Sequence, residues 1–313
     1  MSDDQRKSEE TRGLDRLTER LEIRRETKAD ARAEGSLGGQ RARGLFEKLL
    51  TRVATGAIYA VVTIAAILLG RIPTLIVVAG MAWLCCSEFF HIARKGGRMP
   101  NEPFGLFAAV LFPLAAYLSG IDLMILVCFI LIVACAIWYV FTPRATLGDV
   151  AITFFGPVYT SMTFSAIVLL RASAPGLEGA YIALGALGSI WLNDAVAYFA
   201  GSRFGRHKLA PRISPKKSWE GFVAGLIACE ATWIAMGALG FAGMTMPLGV
   251  IGGVVVGFMS VIGDLFESRI KRAVGVKDSG TILPGHGGLL DRSDSILFGG
   301  LAAYFVLLFG GIL

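Results

Sequence analysis

The side chains with the most chemical potential crowd into one stretch, from Gly263 to Asp294. It holds the acids Asp264, Glu267, Asp278, Asp291 and Asp294, the cations Arg269, Lys271, Arg272, Lys277 and Arg292, and the imidazole of His286. Apolar runs precede and follow it, so groups of both charge signs sit between two expected membrane helices. Carboxylates and cations together at a bilayer edge suit a divalent metal and a phosphate-bearing substrate. A solvated loop with the usual excess of cytoplasmic cations would account for Lys271 and Arg272. It would not account for the acids among them, or for the turn Pro284-Gly285-His286-Gly287-Gly288.

A second polar group lies upstream. Asn193 and Asp194 interrupt an apolar helix, and Ser214-Pro215-Lys216-Lys217-Ser218-Trp219-Glu220-Gly221 follows in a loop. An ionisable residue inside a span is a functional candidate, with a helix-packing hydrogen bond as the structural alternative. Lysines supply point charges to phosphates. Ser218 is placed to cap the next helix, whose positive end favours an anion.

The run from Ser268 to Asp294 reads Ser-x-apolar-Lys-Arg, Lys-Asp-x-small, apolar-Pro-x-His-Gly-Gly-apolar-x-Asp-Arg-x-Asp. It resembles the signature of the phosphatidate cytidylyltransferases (CDP-diacylglycerol synthases). Ser293 departs mildly, standing where an apolar residue or Thr is usual. The Asn193-Asp194 helix and the Ser-Pro-Lys-Lys-x-x-Glu-Gly loop resemble the same family's upstream region, so the likeness covers roughly residues 180 to 300. It implies transfer of CMP from CTP to phosphatidate, with release of pyrophosphate.

Two anions must then meet, and catalysis is chiefly charge neutralisation and alignment. On this reading Asp264, Asp291 and Asp294 are the expected ligands of Mg2+, with Asp278 a weaker candidate and a second, monovalent cation allowed. Asp291 and Asp294 are three apart, so they share a helical face. Lys216, Lys217, Lys277 and Arg292 are expected to bind phosphates. Ser268, Lys271 and Arg272 are expected to hold the lipid phosphate or shape the loop. Asn193, Asp194, Ser214 and Glu220 complete the substrate-binding set. Gly287 and Gly288 allow close backbone approach. His286 is expected to donate a hydrogen bond or position a group, because the attacking phosphate is already ionised near neutral pH.

These residues need a membrane scaffold. The chain is 54% hydrophobic and only 17% charged, where a soluble domain would carry about 25% charge. The expected fold is all-α, a polytopic membrane protein with about nine spans near 53–70, 72–90, 104–119, 123–141, 150–170, 180–200, 221–239, 246–266 and 295–312. Residues 1–44 read as a charged cytoplasmic tail, 45–179 as the N-terminal helices, and 180–313 as the catalytic region with loops 201–220 and 267–294. The Gly249–Gly257 run suggests close helix packing. Glu88 and His91 read as a structural ion pair, Glu230 as a cavity-lining candidate and His207 as a loop residue. The five cysteines, Cys85, Cys86, Cys128, Cys135 and Cys229, lie in apolar runs without zinc spacing.

Alternating loops from an inside N-terminus place all but Arg71 and Arg171 of the interspan cations on one side. The expected location is a bacterial-type inner membrane, and that charge bias predicts polar loops facing the cytoplasm. It also accounts for the net charge of +6 without any nucleic-acid partner. The expected partners are CTP, phosphatidate and the bilayer, and a homodimer is left open. The competing readings are a CTP-dependent lipid-alcohol kinase, a prenyl transferase using Asp-x-x-Asp, and a transporter. A transporter would spread polar residues through both halves of the bilayer, whereas here they gather at one end.

Overall fold

The computed structural model describes residues 54–280, 282 and 287–313. The expected tail, and Leu283, Pro284, Gly285 and His286 of the signature, lie outside the described residues. The chain divides into two units, and the second, Thr55–Leu313, is the one described below.

Among the described residues, eight helices are long and apolar enough to cross a membrane, and a shorter apolar helix, α1 (Ala54–Leu69), precedes them. The spans are α2 (Arg71–Lys95), α3 (Glu102–Ser119), α4 (Ile121–Phe141), a broken span from Leu147 to Ala172, α7 (Gly176–Phe204), α8 (Trp219–Ala238), α9 (Met246–Ala273) and α10 (Leu290–Phe309). Their positions follow the apolar runs because lipid leaves backbone groups no partner but the helix itself.

The broken span contains α5 (Leu147–Pro157), a π-helical turn (Val158–Met162) and α6 (Ala166–Ala172). It is the most enclosed of the spans, with 72% of its apolar stretch buried, against 22% for α4. α4 therefore faces lipid, while the broken span runs through the interior.

Two polar bonds tie the C-terminal helices together. Trp233 Nε1 on α8 donates to Ser189 Oγ on α7 at 3.0 Å. Asn193 Nδ2 on α7 donates to Ser260 Oγ on α9 at 2.7 Å. α9 packs on Trp233 through Gly249 and Gly252, as its glycine run suggests.

The segment between α7 and α8 is not all loop. β1 (Lys208–Ala210) and β2 (Ser214–Ser218) form an antiparallel pair, with Lys208 opposite Ser218 and Ala210 opposite Ser214. This hairpin is an addition to the all-α expectation. Its strands are too short to display a period-two pattern.

Asp149 anchors the start of the broken span. Its carboxyl accepts from Thr146 N at 2.9 Å and Met99 N at 2.7 Å, and Thr146 Oγ1 accepts in turn from Asp149 N at 3.2 Å. Removing such a cap costs about 0.5–2 kcal/mol. Asp149→Ala is therefore expected to lower the thermal midpoint of the purified protein, with Asp149→Asn in between because it keeps one acceptor oxygen. Equal midpoints for all three proteins would show that the cap contributes nothing.

Candidate active site at the ends of α7, α9 and α10

α9 has 28 residues, roughly 42 Å at about 1.5 Å per residue. The hydrocarbon core is only about 30 Å thick. The last turns of α9 therefore extend past it, carrying Asp264, Glu267, Ser268 and Lys271 to the polar boundary. Close helix approach brings the acids of α9 and α10 together. A Cβ on Gly263 would stand 2.4 Å from the carbonyl oxygen of Asp294, a separation only glycine permits.

The carboxyl groups of Asp194, Asp264, Glu267 and Asp294 consequently lie near enough to repel one another, and Arg292 is close enough to Asp194 to offset part of its charge. Asp294 is buried and accepts from Ser295 N at 2.8 Å. Ser268 Oγ donates to Asp264 Oδ1 at 3.3 Å.

Two lysines enter this cluster from different directions. The hairpin delivers Lys217, whose Nζ lies 2.7 Å from Asp264 Oδ2. Neighbouring strand residues point to opposite faces, and Lys216 is exposed while Lys217 is half-buried. Ser214 is partly buried on the same strand. Ser218 Oγ caps α8 by accepting from Gly221 N at 3.2 Å, as its place before the helix suggests. Glu220 in the first turn accepts from His207 N at 3.2 Å and meets His207 Nδ1 at 2.7 Å. That bond gives His207 a defined partner.

The second lysine, Lys271, lies buried between Glu267 and Asp291 and forms ion pairs with both. Asp291 Oδ2 also accepts from Ser279 N at 2.9 Å and from Gly288 N at 2.8 Å. Both oxygens of Asp291 are thus engaged. Arg272 Nη1 donates to Val276 O at 2.8 Å, closing the C-terminal turn of α9. Lys277, Asp278 and Arg292 are exposed. Gly287 has φ +87°, a region that favours glycine, and sits beside Asp278 and Asp291. Asn193 is fully buried and directed at Ser260, so its visible contact is the helix-packing alternative.

Two acids that the sequence pattern leaves outside the site lie against it. Glu267 was one charge among many in the stretch, yet it is fully buried against Lys271. Glu88 is not paired with His91. Its oxygens accept from Ser279 Oγ, Leu289 N and Leu290 N, at 3.0, 3.0 and 2.8 Å. The usable signal was an acid inside an apolar run.

The family model described as "Cytidylyltransferase family" matches residues 50–309. The chain belongs to the cytidylyltransferase family. It is 36% identical over 193 residues to a phosphatidate cytidylyltransferase of Mycobacterium bovis, covering 56% of this chain and 61% of that one. It is 40% identical over 157 residues to one of Staphylococcus aureus, covering 50% and 58%. It is 30% identical over 263 residues to the chloroplastic phosphatidate cytidylyltransferase 4 of Arabidopsis thaliana, covering 73% and 66%. The matches therefore span less than two thirds of each relative's length.

The donor set of this site bears on a metal. Among the described residues, no three His, Cys, Asp or Glu side chains form a ready-made metal cluster. Mg2+ is commonly held by one or two carboxylates, waters and substrate phosphates, without a full protein cage. Asp264 and Asp294 repel one another, and the cations near them, Lys217 beside Asp264 and Lys271 near Asp294, offset only part of the local acid charge, which fits that arrangement.

The two lysines differ in surroundings, and their removal should separate them. The side chains of Lys271, Glu267 and Asp291 are 9%, 1% and 6% exposed, while those of Lys217 and Asp264 are 25% and 27% exposed. Breaking a buried pair costs about 3–5 kcal/mol, and an exposed one about 0–1 kcal/mol. Lys271→Met should destabilise the protein far more than Lys217→Met in mixed-micelle unfolding. Equal losses would contradict the burial argument.

Proposed function

We propose that this chain transfers CMP from CTP to phosphatidate, giving CDP-diacylglycerol and pyrophosphate. The observation that carries the reading is the acid cluster of Asp194, Asp264 and Asp294, flanked by Lys217 and Lys271, at the end of a membrane helix bundle. The family match and the names of the relatives support the same substrates.

In the reaction, an oxygen of the phosphatidate phosphate attacks the alpha phosphorus of CTP in line. The bond to the beta-phosphate oxygen breaks, and its electron pair leaves with pyrophosphate. No strong base is required, since the nucleophile is already anionic. The protein's task is to hold two anions in line and to offset their charge.

Lys216, Lys217, Lys277 and Arg292 bind phosphate oxygens, with Lys217 oriented by Asp264. Asp264 and Asp294 would hold Mg2+, which neutralises the triphosphate when bound. Asp291 enters that set only by exchanging Lys271 or a backbone N–H. Its bonds in this structure give it the part of fixing the loop before α10. Ser268 steadies Asp264, and Lys271 keeps Glu267 and Asp291 compatible in a small volume. We place this site on the cytoplasmic side of a bacterial-type inner membrane, because cations crowd the loops at that end and nucleotides are available there.

Purified protein, labelled CTP, phosphatidate and magnesium provide the test. Cytidine label in the lipid product, with equimolar pyrophosphate, is the expected result. Label transferred only from the gamma position would indicate a lipid kinase, and no lipid label from folded protein would refute the proposal. Asp264→Asn and Asp294→Asn should each lower turnover about a hundredfold or more, the usual scale for losing one electrostatic group. Near-normal turnover at low magnesium would remove both from the metal set.

A further inference from the structure

The start of α10 lacks a local cap. Leu289 stands at the capping position and its side chain accepts nothing, although the first N–H groups of any helix have no partner within it. The acceptors come from α2 instead. Glu88 Oε1 accepts from Leu289 N at 3.0 Å, and Glu88 Oε2 accepts from Leu290 N at 2.8 Å and Ser279 Oγ at 3.0 Å. Leu289 and Glu88 are 201 residues apart in sequence.

Glu88 is 4% exposed, and among the described residues no Lys, Arg or His pairs with it. Burying an acid is costly unless its oxygens are hydrogen-bonded, and the positive end of a helix suits it. The surroundings are shaped to admit it. A Cβ on Gly280 or Gly288 would stand 2.6 or 2.4 Å from a Glu88 oxygen. Ser279 links this acid to the site, giving its hydroxyl to Glu88 and its N–H to Asp291.

We propose that Glu88 is a positioning residue for the site. From α2 it clasps both ends of the loop at Ser279 and Leu289–Leu290. It thereby fixes where α10 begins, and with it the presentation of Asp291, Arg292 and Asp294. Only the catalytic consequence rests on the cytidylyltransferase reading; the clasp itself does not. Gln at this position has one acceptor oxygen, so one backbone N–H loses its partner. Ala removes all three bonds. Gly280→Ala leaves Glu88 in place but fills the space its carboxyl occupies.

The test is hydrogen exchange by mass spectrometry on the full chain in detergent, with turnover measured on the same samples. Amide exchange around Ser279, Leu289 and Leu290 should rise about tenfold or more in Glu88→Ala and in Gly280→Ala, and less in Glu88→Gln, while α8 exchanges as before. The double variant should exchange no faster than Glu88→Ala alone, because both changes break the same clasp. Turnover at saturating CTP and magnesium should fall about tenfold or more in step with the exchange.

Unchanged exchange at these amides would overturn the clasp. So would a rise spread evenly over every helix, which marks a general structural role. Raised exchange with normal turnover would overturn the positioning role. If Glu88→Ala does not fold, Glu88→Gln and Gly280→Ala decide by the same criteria. A wild-type protein without cytidylyl transfer would sink the functional reading while leaving the exchange test of the clasp intact.

Discussion

Acids brought together at the ends of packed membrane helices repel, and the C-terminal half of this protein is arranged around that repulsion. Two unit charges about 4 Å apart interact by roughly 4 kcal/mol at the effective dielectric of a protein surface. Asp194, Asp264, Glu267, Asp291 and Asp294 would therefore push α7, α9 and α10 apart if left unanswered. The answers differ from one acid to the next. Lys271 lies between Glu267 and Asp291, and Lys217 reaches Asp264 from the hairpin. Asp291 also takes two backbone N–H groups. Asp294 remains buried beside other acids, with a backbone N–H from Ser295. In the proposed reaction this excess of negative charge is what draws a divalent cation.

The bilayer made most of the architecture legible in the sequence. A span needs about 20 apolar residues, so the helices stand out as runs, and α10 begins within a few residues of the expected place. The acids of α9 and α10 were legible as well, because carboxyl groups beside apolar runs are rare. What escaped were features that depend on distant partners or short elements. The π-helical turn at Val158–Met162 follows Gly156-Pro157 and holds Tyr159, Thr160 and Ser161 within a mostly apolar run, a pattern that does not specify the turn type. The hairpin strands are three and five residues long, below what alternation can reveal. Glu88 was visible as an acid, but its donors lie in a loop about two hundred residues away, which no local pattern reports.

That long-range contact changes how the N-terminal helices should be viewed. From sequence they are a row of spans outside the signature. In the structure α2 supplies the acceptors for the first turn of α10, and Tyr59 of α1 shares a hydrogen bond with Ser293 at 3.3 Å. Phe89, Tyr159, Phe266 and Phe298 from both halves pack in one aromatic cluster. The site is thus carried on α7, α9 and α10 but braced from α1 and α2.

Manganese, a paramagnetic substitute for magnesium, offers the most direct check on the central claim that the excess of acids over cations at these helix ends creates a cation site. Purified protein is titrated with Mn2+ while free ion is followed by electron paramagnetic resonance, with and without CTP. The account predicts saturable binding that CTP strengthens and that is weakened at least tenfold in Asp264→Asn and in Asp294→Asn. Binding that is absent, or that is equal in wild type and both variants, would contradict it.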